Sequence, residues 1–285
     1  MTQPELDAGR FKAMERAGFN RIATRYAQGA HLRADLAEAL LRAADLAPGQ
    51  QVLDLASGPG LLARDAARLV QPGGWVLATD IAEAMMIEAS RVNGAESDVA
   101  LRASIGFATT DAEHLCLPDA SFDRVLIGLA LFMFPDEGKS LKEIRRVLRP
   151  GGRLAVSVWG PRASVPLISC AQDCIARVLP PPKFTRPSVF RLGEDDALTA
   201  ALTDAGFDEV RVSPCRFTCH FPDASSYWQG FLDLAGGVAE SMSRLPNETQ
   251  ALLRTAVESE LDAHRNRKGD GFTFEAAALI GSARA

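Results

Sequence analysis

Residues 52 to 60, VLDLASGPG, set four apolar residues around one carboxylate and then break into serine, glycine, proline and glycine. The apolar half predicts a strand buried on both faces, as in a parallel sheet. Downstream, LLARDAARLV predicts a helix, QPGG a turn, and WVLATD a second strand ending on Asp80, which together form a βαβ unit. Gly58 and Gly60 stand in the first strand-to-helix loop, the place where open parallel sheets bind ligands. Glycine there admits positive φ and removes the Cβ, so a ligand can lie against the main chain, and the helix start favours negative charge nearby.

The alternation continues outward. A helix is expected at about 82 to 92, strands at IGFATTD and DRVLIGLA, a helix at EGKSLKEIRRVL and a strand at RLAVSVW. A helix near 194 to 205 precedes two last strands, DEVRVSPCRFTCHF and AALIGSARA, separated by two helical patterns between 222 and 270. Upstream, Leu32, Leu36, Leu40, Ala43 and Ala47 recur at helical spacing until Pro48-Gly49, so a helical segment occupies about 10 to 46. An apolar helix near 165 to 179 leads into the extended, proline-rich connector PPPKFTRPSVFRLG. Strands separated by helices predict an α/β, doubly wound, mostly parallel sheet of seven strands.

A chain of 285 residues at 47% hydrophobic content supports a sizeable core. With 31 Lys and Arg against 36 Asp and Glu, its net charge is −5, and without a long basic run nucleic acid is not an expected partner. The N-terminus lacks an apolar signal core and VLIGLALFMF is too short to span a bilayer, so a cytoplasmic protein without stable membrane insertion is expected. Cys116, Cys170, Cys174, Cys215 and Cys219 read as reduced thiols, and no metal site is expected. Oligomeric state is not legible.

Two ligand classes fit the glycine loop. Gly58-x-Gly60-x-x-Ala63, with Asp80 twenty residues after Gly60, also satisfies a dinucleotide pattern, which keeps an NAD-dependent oxidoreductase open. Asp54 argues otherwise: a carboxylate in the strand end would repel a pyrophosphate and attract an ammonium group. An amino-acid-bearing nucleoside meets both demands.

Four linked stretches carry a resemblance: VLDLASGPG, VLATDIAEAMM, TTDAEHLCLPDASFDRVLIGLALFMFPD and EIRRVLRPGGRLAVSVWG. Over about residues 50 to 160 the chain resembles the class I S-adenosylmethionine-dependent methyltransferases, in the ubiquinone/menaquinone-biosynthesis-like branch that acts on small molecules. The resemblance implies a Rossmann-like methyltransferase domain over 49–285, an N-terminal helical segment over 1–48, and helical lid segments at about 160–193 and 222–270 before the last strand. It implies S-adenosyl-L-methionine as cofactor, with S-adenosyl-L-homocysteine as product. Ala56, Ser57, Gly58 and Gly60 would line the methionine moiety, and Asp54 would hold its ammonium. Asp80 would take both ribose hydroxyls, a geometry a carboxylate supplies well. Ile81 and Met85 would flank the adenine, Asp111 and Ala112 would address its amino group and ring, and Gly128 and Leu129 would lie beneath the sulfonium. Tyr26 falls where relatives place an aromatic over the methionine end, and Arg25 is a candidate partner for the carboxylate.

Where relatives often read ALHHFPD, this chain reads ALFMFPD, with Phe132 and Met133 in the two histidine positions. That implies an apolar acceptor wall and no inherited base; His31 and Tyr26 remain as catalytic candidates. Phe132, Met133, Trp159, Tyr227 and Trp228 are the candidate acceptor pocket. The expected reaction is methyl transfer to a small hydrophobic acceptor such as a natural product, a quinone precursor or a lipid-like compound. A methyltransferase-like protein that binds the cofactor without transferring its methyl, a pericyclase or an accessory subunit, is the alternative.

Overall fold

The computed structural model describes residues 6–181, 185–266 and 269–285. Pro182, Lys183 and Phe184 of the expected extended connector lie outside the described residues.

Strands β1 (Gln51–Leu55), β2 (Trp75–Asp80), β3 (Ile105–Thr109), β4 (Phe122–Gly128), β5 (Leu148–Trp159), β6 (Asp208–Phe221) and β7 (Phe272–Arg284) form one sheet in the order 3-2-1-4-5-7-6. β7 runs antiparallel between β5 and β6, and the pairs from β3 to β5 are parallel. The expected seven-stranded, mostly parallel sheet is therefore present. Order reverses between β1 and β4, so the carboxyl ends of β1, β2 and β4 open onto one crevice.

The βαβ unit shows why. Val52, Leu53 and Leu55 of β1 are fully buried, and α3 (Leu61–Val70) covers them with the small residues Ala63, Ala66 and Ala67, which let its axis lie close to the sheet. Each buried Val or Leu contributes about 1.5–3 kcal/mol of transfer free energy. Gly60, at φ +74, begins α3; a Cβ there would lie 3.0 Å from the Ala89 Cβ of α4 (Glu83–Gly94). Its glycine thus serves helix packing, and it lines none of the crevice cavities described below.

The helical N-terminus is two helices rather than one: α1 (Ala8–Gln28) and α2 (Ala34–Ala44), joined by a tight turn at 29–33. Asp7 caps α1 by accepting from the Arg10 amide at 2.9 Å. A short helix that the sequence pattern did not reveal, α5 (Val99–Ala103), precedes β3; α6 (Glu137–Val147), α7 (Pro166–Val178) and α8 (Asp195–Asp204) fall where expected. The long pattern after β6 splits into α9 (Ala224–Leu234) and α10 (Gly236–Met242), followed by α11 (Asn247–Leu261).

α1 closes over the crevice by crossing α10 at a glycine contact. A Cβ on Gly18 would fall 2.1 Å from the Gly236 carbonyl, so the two backbones touch with no side chain between them. All five cysteines are free thiols. Among the described residues no helix is long and apolar enough to cross a membrane.

Candidate active site

Two strand-end loops of the crevice are backbone-strained. Ala56 after β1 and Leu129 after β4 sit at φ +56 and +51, a region that residues with a Cβ avoid. The surroundings hold them: the Ser57 amide donates to the Thr79 carbonyl at 2.8 Å, and the Leu129 amide donates to Ser157 at 3.0 Å. Tyr26 packs over Gly58, 3.4 Å from where a Cβ would stand.

Three cavities meet at Tyr26 and Leu129, which line all of them. The first runs along the strand tips and is bordered by Asp80, Ile81, Met85, Asp111 and Ala112. The second lies beside α2 and holds Asp54, Ser57 and Arg33. A third, of about 260 Å³, lies deeper under α1 and is walled by Phe132, Met133, Trp159, Ile168, Val189 and Phe231.

In the first cavity, Asp80 accepts from the Gly58 amide with one oxygen and from the Ala82 amide with the other, both at 2.9 Å. These bonds fix a carboxylate whose remaining lone pairs face the cavity. Burial raises the Asp80 pKa despite those amides. At the far end, Lys12 of α1 bridges Asp111 and Glu113 at 2.7 Å each. Burial opposes the charge of Lys12, but the two carboxylates outweigh it and raise the lysine pKa. Burial likewise pushes Asp111 upward, and Lys12 with the Glu113 amide outweighs it and holds the carboxyl below its ordinary value.

The second cavity is the reverse case. Asp54 is fully buried, and burial pushes its carboxyl up to about 7; the Asp80 charge adds to this, while the Ser57 hydroxyl and Ala63 amide resist it. Ser57 donates to one Asp54 oxygen at 2.5 Å, but Oδ1 has no hydrogen-bond partner among the described residues. Nor has the buried Nη1 of Arg33, whose other terminal nitrogen donates to the Tyr26 carbonyl and whose guanidinium stacks 4.0 Å from the Tyr26 ring centre. A buried polar atom left unsatisfied costs about 1–3 kcal/mol, more when charged. An orphaned carboxylate oxygen and an orphaned guanidinium nitrogen in one cavity suit a zwitterion.

The third cavity is apolar except for Arg33, Gln172, Ser188, Glu15 and Arg186. Glu15 is buried, accepts from the Gly237 amide at 3.2 Å, and lies 3.7 Å from an Arg186 nitrogen. Burial raises its pKa, partly offset by Arg186 and the Gly237 amide.

Most sequence-predicted residues converge here, and some do not. Tyr26, Asp54, Ala56, Ser57, Gly58, Asp80, Ile81, Met85, Asp111, Ala112, Gly128 and Leu129 line the first two cavities. Phe132, Met133 and Trp159 line the third. Tyr227 does not: its hydroxyl donates to the Leu167 carbonyl and accepts from the Ala171 amide, and its ring stacks on Phe274 at 4.8 Å in the core. Trp228 stacks on Phe231 and borders an outer groove with Arg21 and Arg25. His31 is exposed at the rim of the second cavity, away from the third. Arg25 pairs outward with Asp233 at 3.0 Å, and the guanidiniums that line the second cavity are those of Arg33 and Arg64. Arg33 and Glu15 escaped the sequence reading, although Phe11, Glu15, Phe19 and Tyr26 recur at helical spacing on one face of α1.

The sheet order, the strained loops and the carboxylates at the strand ends define the architecture of a class I methyltransferase, whose cofactor is S-adenosyl-L-methionine. A family model described as a methyltransferase domain matches residues 53–156. The chain is 33% identical over 174 residues to the ubiquinone/menaquinone biosynthesis C-methyltransferase of Pseudomonas paraeruginosa, covering 57% of this chain and 66% of that one. It is 32% identical over 175 residues to its counterpart in Escherichia coli, covering 57% and 68%. In fold it is similar to the phosphoethanolamine N-methyltransferase 2 of Haemonchus contortus solved with S-adenosyl-L-methionine (TM-score 0.54, 19% identity, 87% of this chain and 52% of that one). The chain belongs to the class I S-adenosylmethionine-dependent methyltransferases, in the ubiquinone/menaquinone-biosynthesis-like branch. It spans 66% of the length of the Pseudomonas relatives.

Proposed function

We propose that the protein transfers a methyl group from S-adenosyl-L-methionine to a small, apolar, hydroxylated aromatic acceptor held under α1. The observation that carries this reading is the meeting of three cavities at Tyr26 and Leu129. A sulfonium centre has three arms, and each cavity has the chemistry of one of them.

Asp54 Oδ1 takes the ammonium and Arg33 Nη1 the carboxylate of the amino-acid end, so each orphaned atom gains the charge it lacks. Asp80 accepts from the ribose hydroxyls; Ile81 and Met85 flank the adenine, with Asp111 and Ala112 at its edge. The bound cofactor supplies an activated methyl on sulfur. Tyr26 and Leu129 direct that methyl toward the third cavity, whose apolar walls exclude water and align the acceptor behind it. The C-methyltransferase relatives favour carbon as the atom methylated. A net charge of −5 disfavours nucleic acid as acceptor.

Calorimetry with S-adenosylhomocysteine and with NAD tests the cofactor half: binding of the first alone is expected, and binding of NAD alone overturns the reading. A panel of apolar phenols and quinols tests the acceptor half, with a mass gain of about 14 Da as the positive result. Turnover confined to protein or nucleic acid overturns it.

A further inference from the structure

Among the described residues, Glu15 is the one carboxylate that lines the third cavity, and it also lines the first. It sits at the junction with Phe11, Phe19, Tyr26, Leu129 and Met133, which also line both. No histidine lines either cavity. The carboxylate packs directly on α10 at the α1–α10 crossing: its Oε1 lies 2.1 Å from where a Cβ on Gly237 would stand, and its Oε2 accepts from the Gly237 amide. A carboxylate in this aromatic stripe costs desolvation that an apolar residue there would not.

We propose that Glu15 is the proton acceptor for the hydroxyl of the methyl acceptor, with the Arg186 guanidinium beside it. The inference rests on the reading under Proposed function and specifies its substrate: the acceptor must carry a hydroxyl conjugated to the reacting carbon. The O–H proton passes to a Glu15 oxygen. The released pair forms a C=O bond, the ring pair on the adjacent carbon forms the new C–CH3 bond, and the pair of the breaking C–S bond leaves on sulfur as a neutral thioether. The ring carbon then loses its proton to water, and the oxygen regains the proton from Glu15. One proton is released per methyl transferred.

Among the described charged neighbours, Arg186 pairs with Glu15 and the others are paired elsewhere. Arg186 is the cation facing it from the 185–194 segment; on α1, Lys12 is held by Asp111 and Glu113, and Arg16 by Glu83 of α4. On α10, Glu240 is paired with Arg21 and Arg244.

The test uses the full chain with S-adenosylhomocysteine and 4-nitrophenol, whose neutral and ionised forms differ in visible absorbance. An ionised Glu15 accepting from the probe favours the neutral phenol, so wild type raises the apparent pKa of the bound probe above that of the free one. Glu15→Gln removes the negative charge and leaves Arg186, so the bound probe's pKa falls by at least one pH unit, equivalent to about 1.4 kcal/mol. Glu15→Asp gives an intermediate value. With a turned-over acceptor, Glu15→Gln lowers kcat by about 10²- to 10⁴-fold at unchanged S-adenosylhomocysteine affinity, as loss of a general base should. An unchanged probe pKa in a Gln variant that still binds S-adenosylhomocysteine overturns the proposal, as does failure of the probe to enter the wild-type cavity. Failure of wild type to bind S-adenosylhomocysteine overturns the Proposed function instead.

Discussion

The floor and the cover of the crevice are built by different means. The floor is made of strand ends in register: Leu55 of β1 lies opposite Thr79 of β2, and Asp80 opposite Thr109 of β3. Its polar groups are positioned by main-chain amides of the same or the neighbouring strand-end loop, as Asp80 is by Ala82 and Gly58. The cover is α1 laid on α10, joined by contacts between residues more than 200 positions apart, such as Gly18 with Gly236 and Glu15 with Gly237. A rigid floor suits a ligand used in every turnover, and a cover held by helix crossing suits the part that varies with the acceptor. The contrast makes a demand: floor substitutions should act on cofactor affinity, and cover substitutions on stability and acceptor chemistry.

The largest effect is expected at Asp80. Asp80→Ala removes a carboxylate that both orders the Gly58 loop and faces the first cavity, and charge-assisted hydrogen bonds contribute about 1.5–3 kcal/mol each. S-adenosylhomocysteine affinity by calorimetry should fall ~100-fold or more, two such bonds being at stake. A loss under about tenfold would show that the floor does not grip the ligand through this carboxylate.

Next is the crossing of α1 and α10. Gly18→Leu forces the two backbones apart, and overpacking of this kind costs about 1–3 kcal/mol. A lowered thermal midpoint is expected, with loss of binding by apolar phenols exceeding loss of S-adenosylhomocysteine binding. Equal losses would erase the distinction between floor and cover.

That distinction also governs what the sequence disclosed. The floor was legible because its signals are local: Asp54, Gly58 and Asp80 stand at strand ends whose apolar runs and turn residues can be read along the chain. Gly60 was legible as a glycine but not in its purpose, because its neighbour Ala89 belongs to the next helix. The cover was legible as helices and, through the resemblance, in Tyr26, but not in its other cavity-facing residues. Nothing near Arg33 distinguishes it from Arg25 eight residues earlier on the same helical run; the turn at 29–33 ends α1 and sends one inward and the other toward Asp233. Tyr227 and Trp228 show the same limit, since facing the cavity or the core depends on how α9 rotates against α7 and β7.

Asp54 provides a pH test of the second cavity. Its carboxyl titrates near 7 in the folded chain against 3.8 ordinarily, so the folded state binds a proton more tightly than the unfolded state. Stability of the ligand-free protein therefore falls as pH rises from about 4 to about 7 and then levels, by no more than about 4 kcal/mol. Ligand affinity runs the other way: an ammonium prefers the ionised carboxylate, so S-adenosylhomocysteine should bind up to about tenfold more tightly per pH unit below 7, with proton release. Asp54→Asn should flatten both profiles, and an unchanged slope would assign the titration to Asp80.

The smallest effect is expected at Lys12, where cover meets floor. Its pairs with Asp111 and Glu113 are partly exposed, and such pairs contribute about 1 kcal/mol or less. Removing the charge in Lys12→Met has two opposed consequences. Asp111 loses a cation that competes with the adenine amino group for its oxygens, which strengthens ligand binding, while α1 loses a tether at its N-terminal end, which speeds ligand escape. Stopped-flow release of S-adenosylhomocysteine separates them: the dissociation rate should rise several-fold while equilibrium affinity changes by less than about threefold, because association quickens with the loosened helix. Unchanged release together with tighter binding would mean that Lys12 acts on the floor alone, and that the cover is held by the Gly18–Gly236 crossing without help from its charged end.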